Sequence, residues 1–149
     1  MALQTVYILY ASAMSRAVLD TVRAVLAEQL PACPCVEQPV GGRGNTPAEW
    51  EGLLQSLIRP GEGTLLLTLS DCGPTDPVPD ATTALCTRLL PGFGALIRTG
   101  LPEALLWRNT AGLCGQTLLL NLPASAEAIE QRLPRLFPAI PNAVMLAGR

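Results

Sequence analysis

The sequence contains no histidine. That excludes Ser-His and Cys-His nucleophilic pairs and every His-ligated metal, and it leaves a zinc cage only if four thiolates converge. Charge is also scarce: 15% of residues are charged, the net charge is -2, and no run of basic residues offers a footprint for nucleic acid. Aromatics are 4%, which suits a core of Leu, Val and Ala. Long apolar runs are missing too. TLLLTL and TLLLNL fall far short of the ~20 residues needed to span a bilayer, so no membrane partner is expected. The opening MALQTVYILYA has no basic leader ahead of its apolar part and no evident cleavage site. A cytoplasmic protein is therefore expected.

The composition that remains, 49% hydrophobic over 149 residues, is enough for one domain spanning 1–149 with a substantial core. Five cysteines (Cys33, Cys35, Cys72, Cys86, Cys114) are scattered through apolar or loop contexts. Cys33 and Cys35 form a C-P-C, which is neither a C-x-x-C redox pair nor half of a zinc site. A structural or incidental role is expected for all five.

Periodicity sets the order of elements. Thr5 to Ala11 is a β-branched and aromatic strand. Ser15 to Leu30 carries Val18, Val22, Val25, Leu26 and Leu30 on one helical face before Pro31. Cys33 to Val40, with two prolines, fits an edge strand. Gly41 to Gly44 is a loop, and Thr46-Pro47-Ala48-Glu49 opens a helix as a capping box with proline at its first position. Thr64 to Leu69 is a strand covered on both faces. Asp80 is placed as the cap of a helix running to about Leu90. Shorter helical pieces fill Phe93 to Asn109, Thr117 to Asn121 is a further strand, and Ser125 caps a helix ending at Pro134. Ala143 to Leu146 is a strand or a helix. Such alternation predicts an α/β fold with a mostly parallel sheet between helices, a three-layer αβα sandwich.

Chemistry-bearing groups collect at strand ends, where open α/β sheets bind ligands. Asp71 and Asp76 follow the central strand, with Asp80 one turn on. Together they suit a Mg²⁺ site, or they orient a hydroxyl nucleophile. Equally, Asp80 is a helix cap and the other two are turn formers beside proline. Asn121-Leu122-Pro123-Ala124-Ser125 ends another strand, where free N–H groups and the Ser125 hydroxyl receive an anion or simply cap a helix. Arg98 and Arg108 suit a phosphate or carboxylate clamp, although a solvated surface is the commoner fate of arginine.

Several short motifs stand in register across this region. They are Gly73-Pro74-Thr75-Asp76, Pro79-Asp80-Ala81-Thr82, Pro91-Gly92-Phe93-Gly94 with Arg98, then Arg108, Ala111-Gly112, Gly115 and Asn121-Leu122-Pro123-Ala124-Ser125. In order and spacing, from about Thr64 to Leu133, the chain resembles the MogA/MoaB family of molybdenum cofactor biosynthesis proteins, which includes the gephyrin G-type domains. The resemblance implies a domain that usually forms homo-trimers, binds molybdopterin and, in the MogA type, adenylylates it with Mg²⁺ and ATP. It assigns Asp76 as the catalytic and possible Mg²⁺ residue, with Ser70, Asp71, Gly73, Asp80, Arg108, Pro123 and Ser125 binding substrate. We expect Asp76→Asn to abolish transfer without unfolding the domain.

The departures from the family pattern fall on the ligand loops. The family's G-G-T-G is replaced by Ser70-Asp71-Cys72-Gly73, so side chains occupy space that glycine would leave open. Thr75 stands where the family has arginine. A second functional acid is absent from the loop Gly41-Gly42-Arg43-Gly44, and the early D-x-S-G is reduced to Asp20-Thr21-Val22-Arg23. Trp107 replaces a serine, and Ala124 a glycine. The alternative reading is a non-catalytic or repurposed pterin-binding or assembly module.

Overall fold

A computed structural model describes residues 3–11, 13–40 and 46–148. Its six-stranded sheet has the order β2-β1-β3-β6-β5-β4. Four strands run parallel to one another: β1 (Thr5–Tyr10), β2 (Cys35–Pro39), β3 (Thr64–Ser70) and β6 (Thr117–Pro123). Beyond β6 the sheet continues through β5 (Ala111–Cys114) and the two-residue β4 (Arg88–Leu89), each antiparallel to the strand before it in space. β2 is an edge strand, where its one proline, Pro39, costs no ladder hydrogen bond.

The apolar alternation of the central strands builds a core on each face. Leu65, Leu67 and Leu69 of β3 join Leu118, Leu120 and Leu122 of β6 in one cluster. That cluster meets α1 (Arg16–Gln29), α5 (Ala126–Arg132) and α6 (Ala139–Ala147) through Val18, Val22, Leu26, Ile129, Ile140 and Val144. On the other face Leu66 and Leu119 meet Trp50 and Leu54 of α2 (Pro47–Leu57) and Val78 and Ala81 of α3 (Pro77–Leu85). The three-layer αβα expectation therefore stands, with a mostly parallel sheet.

Both ends of α3 differ from those expected. α3 starts at Pro77 with Asp76 as its N-cap, so Asp80 lies inside the first turn and is not the cap. It ends at Leu85 rather than near Leu90, because Arg88 and Leu89 pair with Leu113 and Gly112. A short strand of this kind, with both residues exposed, carries no apolar alternation to reveal it. The C-terminal ambiguity resolves as the helix α6. Asp20 to Arg23, matched to an early loop motif, lie within α1, where Asp20 pairs with Arg16 at 3.0 Å. The Gly41 to Gly44 loop falls outside the described residues.

Candidate ligand cleft at the carboxyl edge of the sheet

Parallel pairing brings the ends of β1, β3 and β6 to one edge, with Tyr10 level with Leu69 and Ser70 level with Pro123. A cleft of about 520 Å³ opens there. Its walls are apolar at Met14, Val18, Trp50, Leu69 and Pro77, and polar at Ser15, Ser70, Asp71, Thr75 and Asp76. Among the described lining residues there is no arginine or lysine.

The loop after β3 is built by its own polar groups. Asp76 Oδ2 accepts the Cys72 N–H at 2.7 Å, and Oδ1 accepts the Val78 N–H at 3.0 Å. The buried carboxylate thus closes the loop and caps α3, filling the slot that the helix N-terminus would otherwise offer an incoming anion. The Asp71 side chain turns the next residues by accepting the Gly73 N–H at 2.8 Å on Oδ1. Cys72 sits between them at φ 60°, in the left-handed region that favours glycine. It is fully buried, and burial pushes its thiol up to about 12, opposed by a weaker hydrogen bond with Ser70.

Arg108 fastens this loop from outside. Its backbone N–H donates to Cys72 O at 2.7 Å, and its guanidinium donates to Pro74 O at 3.3 Å and Asp76 O at 3.2 Å. The same guanidinium pairs with the Asp80 carboxylate. Asp80 and Arg108 therefore hold each other and the loop backbone, and neither lines the cleft. Ser125 caps α5 by accepting the Ala128 N–H at 3.2 Å, and it is Ala124, not Ser125, that reaches the cleft. Pro123 ends β6, buried, and Gly73 donates to Asp71 and does not line the cleft. Of the residues assigned to the site, Ser70, Asp71 and Asp76 meet in the cleft.

Sequence reasoning missed Met14, Ser15, Val18 and Trp50. The signal was available: Ser15 opens the helix after β1 and Trp50 lies in the first turn of the helix after β2, both at the carboxyl edge of a parallel sheet. Arg98 is engaged elsewhere. It donates to the Asn109 backbone carbonyl and, at 3.3 Å, to Asn109 Oδ1. Gly94 makes room for that contact, since a Cβ there would collide with Asn109 O.

Mg²⁺ fits this arrangement poorly. Each Asp76 oxygen already accepts a backbone N–H, and the residue is 7% exposed. Among the described residues no group of three or more Cys, Asp or Glu side chains is placed to hold a metal ion.

The fold and site define a three-layer αβα protein with a ligand cleft at the ends of its central parallel strands. No protein-family model matches the chain. A solved structure of the molybdopterin biosynthesis enzyme MoaB from Thermus thermophilus is 31% identical, with a TM-score of 0.75, covering 97% of this chain and 96% of that one. The Mog protein of Mycobacterium ulcerans is 25% identical at a TM-score of 0.78, covering 99% and 98% of the respective chains. The molybdopterin adenylyltransferase of Helicobacter pylori (strain ATCC 700392 / 26695) is 42% identical over 88 residues, which is 55% of this chain and 50% of that protein. The chain belongs to the MoaB/MogA family of molybdopterin biosynthesis proteins. It spans about half the length of the curated relatives it matches.

Proposed function

We propose that the protein serves molybdenum cofactor biosynthesis by binding molybdopterin, or a related pterin, in the cleft at the ends of β1, β3 and β6. One observation carries this reading. In a chain of this family, a cleft at the position expected for the ligand is lined by the apolar Met14, Val18, Trp50 and Leu69 and by the acceptors Ser70 and Asp71. A flat heterocycle rimmed by N–H groups matches apolar walls with a few placed polar groups. A homo-trimer in the cytoplasm is part of the proposal. Exposed Leu89, Leu105, Leu106 and Leu146 supply apolar surface for self-association.

Adenylylation of the ligand with Mg²⁺ and ATP is the second reading, favoured by relatives named molybdopterin adenylyltransferase. Against it stands Asp76, whose carboxylate is committed to two backbone N–H groups. We favour the non-catalytic module. Titration calorimetry with molybdopterin, followed by a pyrophosphate-release assay with Mg-ATP, separates the two. Binding without turnover is expected, and pyrophosphate release stoichiometric with bound pterin would establish the enzyme instead. Asp76→Asn replaces one acceptor oxygen with a donor, leaving the Cys72 or the Val78 N–H without its acceptor. A stability loss of about 1–3 kcal/mol in urea unfolding is expected along with any functional loss.

A further inference from the structure

Asp71 is the cleft residue whose chemistry the loop leaves unfinished. Its Oδ1 is used by the Gly73 N–H, while Oδ2 has no partner among the described residues. The side chain is exposed and lines the cleft within a loop that Asp76 and Arg108 hold by hydrogen bonds at both ends. A fixed carboxylate with a free oxygen is an acceptor for adjacent N–H donors. The same carboxylate repels a phosphate group brought into a partly desolvated pocket. Asp76 adds a second carboxylate to the wall, and Arg108, whose guanidinium reaches this loop, is bound to Asp80 and to backbone carbonyls.

We infer that Asp71 sets what the cleft accepts: the N–H-rich edge of a pterin-type heterocycle, and not the phosphate groups of a nucleotide. The inference rests on the pterin-binding reading above and narrows it. A ligand with both features seats its ring against Asp71 and leaves its phosphate outside the pocket.

Asp71→Asn is the discriminating variant. An asparagine Oδ1 still accepts the Gly73 N–H, so the turn survives. Its Nδ2, however, presents a donor where the ring needs an acceptor, and the charge is gone. Titration calorimetry reads binding of two probes, 6-hydroxymethylpterin and inorganic pyrophosphate with Mg²⁺. The wild-type protein is expected to bind the pterin at least about tenfold tighter than pyrophosphate, with little dependence on salt. In Asp71→Asn that ratio is expected to fall by about tenfold or more, through weaker pterin and stronger pyrophosphate binding. A wild-type preference for pyrophosphate, or a ratio unchanged by the substitution, overturns the role given to Asp71 while leaving pterin binding in place. If no folded variant binds the pterin, as checked by circular dichroism, the pterin reading falls and this inference with it.

Discussion

Two polar clusters lie within a few residues of each other on the central strands, and they are finished differently. The first centres on Asn121 in β6, which is fully buried. Its Nδ2 donates to Thr68 Oγ1 at 3.0 Å and Thr82 Oγ1 at 2.8 Å, and its Oδ1 accepts the Thr110 N–H at 3.1 Å. Thr82 in turn donates to Val78 O at 3.0 Å. This network ties β3, α3 and the approach to β5 to one amide, and it closes on itself. The second cluster, Ser70 to Asp76, is equally ordered by internal hydrogen bonds but leaves Asp71 Oδ2 open on the cleft. A buried polar group whose bonding capacity is used up is holding structure. A carboxylate with capacity left over beside a cavity is available to a ligand.

The sharpest way to break the closed cluster is Asn121→Leu. It strands the Thr110 N–H and removes the partner of two buried hydroxyls. A loss of about 3 kcal/mol or more is expected, roughly 10 °C in Tm for a domain of this size, read by calorimetry. Asp71→Asn, by contrast, should leave Tm nearly unchanged while moving ligand preference. Equal effects of the two substitutions on Tm would erase the contrast.

The open cluster is sharpened at Cys72. Cys72→Ala keeps the left-handed φ and loses a buried sulfur, whereas Cys72→Gly loses the same burial and relieves the backbone. The glycine variant should be the more stable of the two by about 1 kcal/mol in urea unfolding, the reverse of the usual order. Equal stabilities would mean that the backbone at this position carries no strain.

The last effect concerns pH. Burial pushes the thiols of Cys72 and Cys86 up to about 12 from an ordinary 9.0. The folded chain keeps both protons while the unfolded chain loses them, so their contribution is complete below about pH 9 and is lost as pH rises toward 12. Urea midpoints at pH 8 and pH 10.5 should differ in that direction, and less so in a Cys72→Ala/Cys86→Ala double variant.

Much of the fold was legible because it follows from local pattern. The 3.6-residue stripe of α1, the Thr46-Pro47-Glu49 start of α2 and the apolar runs of β3 and β6 each identify their element without help from a distant residue. β4 and the true start of α3 were not legible. The first is created by pairing with Leu113 and Gly112, and the second by Asp76 reaching Val78 within a loop that Arg108 holds. The site was half legible. Ser70, Asp71 and Asp76 announced themselves as polar residues after a buried strand. Met14 drew no reading, and Trp50 only that of a helix residue, until the sheet order set β1 beside β3.

By itself, then, the sequence determined the layers of this protein, its kinship and the absence of histidine chemistry, because periodicity, motif order and composition are properties of the chain read in a line. Tertiary structure alone decided which polar groups remain free. Asp76, Asp80, Arg108 and Ser125 are each spent on backbone N–H groups, carbonyls or one another, and Asp71 keeps an oxygen for the cleft. A hydrogen bond needs its partner within about 3 Å, and only the folded chain brings residues that are far apart in sequence to that distance.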